Sequence, residues 1–477
     1  MKNHIYKSGM LALFAGVLLT SCDPEIDGPS VSAGTQLNLT KYVAVGNSLT
    51  AGFGDNGLYR EGQLGSYPAI LAGQFAEVGG GAFVQPLFTE AQANGSGYLR
   101  LTGFTSTGSP ITSQVTTNLA RREQNSPLLT KFTDPINNLG VPGIKVADVK
   151  TPGYGSVQGN PYFERITPDN AALQTYLQRV QQSTDHTFFS LWLGNNDVLS
   201  FATAGGASAS ASNQITPVGV FESNYSDLVN ALTANGQEGI VATIPDVSVV
   251  PFFTTVGPQV KQSLTANNVP GMVAITGAGQ TRTQFATAQI NAPTNGVLFT
   301  LTSAAYAPLI GTKTGKYWRD LARQVSPNPA DPNIVRATLQ NLLSADKGYA
   351  IDTTQLFGVS AGNPWPSALL LDVAEQTLVK DATIAFNNII KAQATAKNLA
   401  VFDANAYFNG IQSGFVANGV AYSPSFITGN LFSLDGIHPT PRGYAIVANE
   451  MIKAINAKYG SNIPKADETQ YRAVLLP

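Results

Sequence analysis

Tyr42-Val43-Ala44-Val45-Gly46-Asn47-Ser48-Leu49-Thr50-Ala51-Gly52-Phe53-Gly54 opens as an unbroken apolar run and closes in small residues and glycines. Such a run predicts a strand buried on both faces, over roughly residues 41–46, that feeds a tight turn with a serine at its tip. Gly46 lets the backbone bend there, and Gly52 and Gly54 let another segment or a ligand come close. Three similar runs follow: Phe188 to Leu193, ending in Gly194-Asn195-Asn196-Asp197; Ile240 to Ile244, stopped by Pro245; and Leu399 to Phe402. A shorter strand is expected from Asp134 to Leu139, at the start of the glycine-rich turn Asn138-Leu139-Gly140-Val141-Pro142-Gly143.

Helical faces lie between these runs. Tyr67, Ile70, Leu71 and Phe75 share one face after Ser66. Thr167-Pro168 reads as the start of a helix burying Leu173, Tyr176, Leu177 and Val180. Thr216-Pro217 precedes Phe221, Tyr225, Leu228, Val229 and Leu232. A helix over about 373–396 is apolar at Val379, Ala382, Phe386, Ile389 and Ile390, and Thr440-Pro441 precedes Tyr444, Ala448, Met451, Ile452 and Ile455. Strand alternating with helix predicts an α/β fold with a parallel sheet and helices on both faces. Two stretches interrupt it. Residues of about 79–130 are rich in Gly, Ser and Thr and are expected to hold one hairpin. Residues of about 250–370 carry several prolines and a helical run from Pro332 to Leu343, and read as an added subdomain or lid. Val249 to Phe253 and Leu298 to Leu301, within it, are expected in a core rather than lining a pocket. The tail, 461–477, is polar and carries little pattern.

The 477 residues suit one large domain or two ordinary ones. A net charge of −2 leaves no basic footprint for nucleic acid. With 43% hydrophobic and 12% charged residues, the chain can build a core and is no disordered polyelectrolyte. Its one cysteine, Cys22, excludes an internal disulfide. Lys2 and Lys7 precede an apolar run, Met10 to Leu19, of signal-peptide length and too short to span a bilayer. Leu19-Thr20-Ser21-Cys22 resembles a bacterial lipobox. That resemblance implies removal of residues 1–21, acylation of Cys22, and a polar tether over 22–38. It places the chain in the cell envelope, lipid-anchored at the outer membrane, and Asp23, Glu25 and Asp27 resemble a surface-export signal. An ordinary secretory signal with an incidental cysteine is the other reading.

The chain has three histidines. His4 lies in the signal segment, and His186 is expected at the surface or a strand edge. His438 stands in Leu434-Asp435-Gly436-Ile437-His438-Pro439-Thr440, just before the last helix. An aspartate three residues ahead can fold back and accept the imidazole Nδ1–H. That leaves Nε2 free to take a proton from a serine hydroxyl. In parallel α/β sheets the carboxyl ends of the strands face one crevice. Ser48, the turn at 140–143, Gly-Asn-Asn-Asp at 194–197 and Asp-x-x-His at 435–438 all fall where that geometry gathers them.

These four segments together resemble the SGNH hydrolases, also called the GDSL esterase/lipase family. Gly46-Asn47-Ser48-Leu49 stands where the family has Gly-Asp-Ser-Leu, Gly143 closes the second block, and Gly194-Asn195-Asn196-Asp197 is an intact third block. The resemblance covers roughly 40–245 and 370–458, within a domain expected over 39–460, and leaves the two insertions unexplained. It implies a three-layer α/β/α sandwich, flavodoxin-like, with about five parallel strands and an inserted subdomain. It also implies a catalytic triad of Ser48, Asp435 and His438, with an oxyanion hole from the Ser48 and Gly143 N–H groups and the Asn196 amide. The expected activity is hydrolysis of carboxylic esters (acyl lipids, short-chain esters or acetylated glycans) without metal or cofactor. Asn47 in place of aspartate reads as turn chemistry, Asp197 as a carboxylate steadying the turn beside Asn196, and Asp403 as structural. A reading from another class is a non-catalytic, glycan-binding or scaffold lipoprotein on the same fold.

Overall fold

Five parallel strands form the central sheet: β1 (Tyr42–Gly46), β2 (Asn138–Gly140), β3 (Phe188–Trp192), β4 (Glu238–Ala242) and β5 (Ala400–Phe402), in the order β5-β4-β3-β1-β2. The computed structural model describes residues 30–477 except 107, 124–125, 184, 207, 209 and 278–279. The expected signal segment and Cys22 lie outside the described residues. Every residue of β1 and β3 is buried, as their unbroken apolar runs require of a sheet covered on both faces. The register pairs Gly46 of β1 with Gly140 of β2 and with Trp192 of β3. Three strands thus end at one level, and their following turns project from the same edge.

Helix α1 (Ser48–Ala51) follows β1 at once. On one face of the sheet α2 (Tyr67–Ala76) packs against α6 (Pro441–Tyr459), and on the other α4 (Val218–Leu232) packs against α5 (Val373–Ala396), giving three layers. The buried residues of α4 are those its periodicity predicts, with Asn224 added. Phe221 stacks on Phe386 with ring centroids 4.0 Å apart, which ties α4 to α5. Helix α6 starts where Thr440-Pro441 predicts: the Thr440 side chain accepts the Gly443 N–H at 3.0 Å, and Gly460 closes the helix in the left-handed conformation.

The structure departs from expectation in three places. Thr167-Pro168 does not start a long helix. The Thr167 hydroxyl donates backwards to Phe163 O at 2.7 Å, ending the helix Pro161–Arg165. The next helix, Tyr176–Gln181, begins at a Thr175 capping box, and Leu173 is 75% exposed. The strand expected over 134–139 is Asn138–Gly140, the three residues that reach β1. His186 is buried, with both ring nitrogens on main-chain carbonyls, those of Ser183 and Leu232. The tail beyond residue 460 is part of the fold: Ser32 pairs with Asn462 through both backbone bonds, and Ile463, Ala466 and Glu468 are buried.

The first interruption holds one antiparallel hairpin, Leu99–Phe104 with Pro110–Gln114, as expected. The second has its own core, in which Val260, Met272, Phe299 and Trp365 are fully enclosed. It contains a hairpin, Gly271–Thr276 with Thr281–Ala286, and the helix Pro332–Leu343 at its expected bounds. Phe253, Leu298 and Phe299 are core residues, whereas Val250 also lines a cavity.

Candidate active site

Ser48 stands at the amino end of α1, at the lip of the sheet, and is 6% exposed. Gly46 is required there by close approach: a Cβ would lie 2.1 Å from Thr50 Oγ1 and 2.5 Å from Trp192 O. Asn47 caps α1, its Oδ1 accepting the Leu49 N–H at 3.0 Å. The Asn47 Nδ2 is buried without a partner among the described residues. Aspartate at this position would make the same cap, so the departure from the family pattern leaves the turn intact.

The loop between Ser433 and Thr440 carries the other two residues. His438 Nε2 lies 2.8 Å from Ser48 Oγ, and His438 Nδ1 lies 2.9 Å from Asp435 Oδ2. Asp435 Oδ1 accepts the N–H groups of Ile437 and His438 at 2.9 and 2.8 Å, and its Oδ2 also accepts the Asn56 N–H at 3.0 Å. Burial by itself would push the Asp435 carboxyl up. The facing His438 and these donors outweigh that and bring it down to about 2. Asp435 is therefore an anion, which fixes the proton on Nδ1 and leaves Nε2 as an acceptor for the serine hydroxyl. Phe53 packs against the imidazole with centroids 4.8 Å apart. Gly436, at φ +71°, shapes the loop, and its carbonyl accepts the Phe252 N–H at 2.9 Å. The second interruption thus supports the loop that bears Asp435 and His438.

Asn196 opens the helix α3 (Asn196–Thr203) after β3. Its Nδ2 donates to Ile144 O at 2.9 Å, which orients the amide and leaves its second hydrogen for another acceptor. Gly143 is exposed in the turn after β2, at φ +85°, and Asn160 Nδ2 holds that turn through Pro142 O at 2.8 Å. Among the described residues the main-chain N–H groups of Ser48 and Gly143 have no protein acceptor. Asp197, fully buried, joins the two blocks: it accepts the Val146 and Ala147 N–H groups at 2.8 and 3.2 Å and the Thr216 hydroxyl at 2.7 Å. Burial pushes its carboxyl up to about 6 despite these donors.

Ser48, Asn196 and His438 line one slot, of about 550 Å³ counted to its open mouth. Gly143 does not line it. It borders a second cleft of about 860 Å³, lined also by Lys145, Asp148, Tyr154, Ile215 and Pro217. Asp403 is structural as expected: it caps the helix Ala404–Gly410 and pairs with Lys391.

Reading the sequence misses Asp55, Asn56 and Arg472. Asp55 Oδ1 accepts the Leu434 N–H at 2.9 Å, and the Asp55 N–H donates to Ser433 Oγ at 2.8 Å. Tyr59 donates to Asp55 Oδ2 at 2.8 Å, and Arg472 from the tail lies 3.4 Å from the same oxygen and 2.8 Å from Glu61. The only sequence signal for this bracket is the turn-forming run Asp55-Asn56-Gly57, whose first two residues have positive φ. The three-layer architecture is one on which hydrolases are built, but a fold alone fixes no reaction. No family model, no curated protein and no solved structure matches the chain.

Proposed function

We propose that the chain is a serine-dependent carboxylic ester hydrolase of the SGNH/GDSL kind, lipid-anchored in the cell envelope. The observation that carries this reading is the continuous line Ser48 Oγ, His438 Nε2, His438 Nδ1, Asp435 Oδ2, with contacts of 2.8 and 2.9 Å. Ser48 Oγ attacks the ester carbonyl carbon while His438 Nε2 takes its proton, and Asp435 stabilises the imidazolium. The carbonyl oxygen, now an anion, is received by the Asn196 amide and the N–H groups of Ser48 and Gly143. Each such donor is worth about 2.7–4 kcal/mol of barrier. The carbon–oxygen bond to the alcohol breaks, and His438 returns its proton to the leaving oxygen. Water, activated by the same imidazole, then cleaves the acyl-serine to give the acid and restore Ser48. Leu19-Thr20-Ser21-Cys22 supports anchoring through an acylated Cys22.

One experiment tests both parts. Cells producing the full-length chain are fractionated and treated with a fluorophosphonate probe. The expected label is in the membrane fraction and is absent from the Ser48→Ala variant. Label that persists in the variant removes Ser48 from the role of nucleophile. Label confined to the soluble fraction removes the anchor.

A further inference from the structure

Resting on the hydrolase reading, we infer that Asp55 is a positioning residue for that reaction: from the turn Gly54–Gly57 it holds the Asp435 carboxylate in place relative to Ser48. The mechanism gives Asp55 no chemical step, yet it is a carboxylate only 4% exposed. Burial pushes it up, so the fold carries it against a desolvation cost. Gly54 and Gly57 exchange both main-chain bonds, at 3.0 and 2.9 Å, and Asp55 and Asn56 between them take φ +50° and +60°. Two positive φ angles inside such a pair make a turn of type I′, which Asp and Asn tolerate.

This turn is bonded to three successive residues of the loop that bears His438. The Asp55 N–H donates to Ser433 Oγ at 2.8 Å, Asp55 Oδ1 accepts the Leu434 N–H at 2.9 Å, and the Asn56 N–H donates to Asp435 Oδ2 at 3.0 Å. Asp55 Oδ2 faces the other way, towards the Tyr59 hydroxyl at 2.8 Å and Arg472 Nη2 at 3.4 Å. A carboxylate has about four acceptor positions. Those of Asp435 are taken by the N–H groups of Ile437 and His438, by His438 Nδ1 and by the Asn56 N–H. The first three donors belong to its own loop and move with it. Among the described residues, Asn56 is the one donor to Asp435 from outside that loop. It lies on the segment that carries Ser48 and that presents Phe53 to the imidazole. The turn therefore sets where the loop stands against Ser48, and the Asp55 carboxylate clamps turn to loop. The ionisable groups that act on Asp435 are His438 on its own loop, Asp55 in the turn and Tyr444 on α6.

The test compares two variants of the full-length chain. Asp55→Asn and Asp55→Ala lose the same charge, but only asparagine keeps an acceptor for the Leu434 N–H. Turnover of p-nitrophenyl butyrate is followed from about pH 5 to 9 and expressed per serine titrated by a fluorophosphonate, so that unfolded protein is not counted. A misplacement of about 1 Å can cost on the order of 100-fold, and kcat/KM of Asp55→Ala is expected at least about tenfold below that of Asp55→Asn. Its acid limb, which reports the free imidazole, is expected at lower pH, because a carboxylate turned out of line stabilises the imidazolium less. A merely structural role lowers the thermal midpoint of both variants and separates neither their rates nor their limbs. Equal kcat/KM and equal limbs in the two variants overturn the assignment. Where Asp55→Ala does not fold, Ser433→Ala decides, since it removes the acceptor of the Asp55 N–H and leaves every charge in place. Its kcat/KM is expected about threefold or more below wild type, with the acid limb again lower; wild-type values overturn the assignment. The proton resonance of His438 Nδ1–H, identified by its loss in His438→Gln, reads the contact without substrate. It is expected to persist in Asp55→Asn and to shift or vanish in Asp55→Ala, and an unmoved resonance in Asp55→Ala overturns the positioning role. Absence of Ser48-dependent turnover in the wild type overturns the hydrolase reading itself, while the resonance still decides the place of Asp55.

Discussion

Two carboxylates at the site, Asp435 and Asp197, are shifted in opposite senses. Asp435 is brought down to about 2 in the folded chain, below the ordinary value of about 3.9, so its contribution is present above about pH 4 and is lost as pH falls towards 2. Asp197 is pushed up to about 6, so its ionisation is resisted by the folded state. Stability is therefore expected to decline as pH rises from about 4 through 6 on account of this residue. The check is urea unfolding of the wild type and Asp197→Asn across pH 3 to 8. The variant is expected to be less stable by about 1–3 kcal/mol at pH 4, because its amide cannot accept from all three donors. It should also lack the decline between pH 4 and 6; a parallel decline in both proteins would show that Asp197 does not titrate there.

The loop from Ser433 to Thr440 is held at both flanks, by Asp55 and Asn56 on one and by Phe252 on the other. Gly436 is where it is most sensitive. A Cβ there would lie 2.9 Å from Phe252 N, and φ +71° already disfavours any other residue. Gly436→Ala is expected to cost more than about 1 kcal/mol of stability and to lower turnover of p-nitrophenyl butyrate by at least tenfold. Unchanged kcat in that variant would mean that the loop tolerates displacement. The sheet and its large helices are legible in the sequence because strands such as β1 and β3 are mostly apolar on both faces, and because α4 and α6 repeat at helical spacing after a Thr-Pro start. The four segments of the site were legible because each follows such a strand or precedes such a helix. The false helix at Thr167 arose because a threonine before a proline reads as a cap, whereas its hydroxyl bonds backwards. His186 was misplaced because its partners are main-chain carbonyls, which leave no trace in side-chain pattern.

The sheet, the second interruption and the carboxyl-terminal tail all converge on one short loop. Arg472 is the outermost member of this bracket, and its partner Asp55 is only 4% exposed. Arg472→Ala strips a buried carboxylate of its cation. It is expected to destabilise the chain by about 1.5–3 kcal/mol and to raise the rate of amide exchange around Leu434 and Asp435. Exchange there equal to wild type would separate the tail from the loop. The tail was opaque to pattern reading because Ile463, Ala466 and Glu468 are buried singly, without period. Its position has a consequence for biogenesis. Ser48 is 390 positions ahead of His438, and the bracket closes only with residues made later still. A ribosome that has finished all five strands has made neither His438 nor Arg472, so the loop and its bracket assemble only once the last helix and the tail have been made.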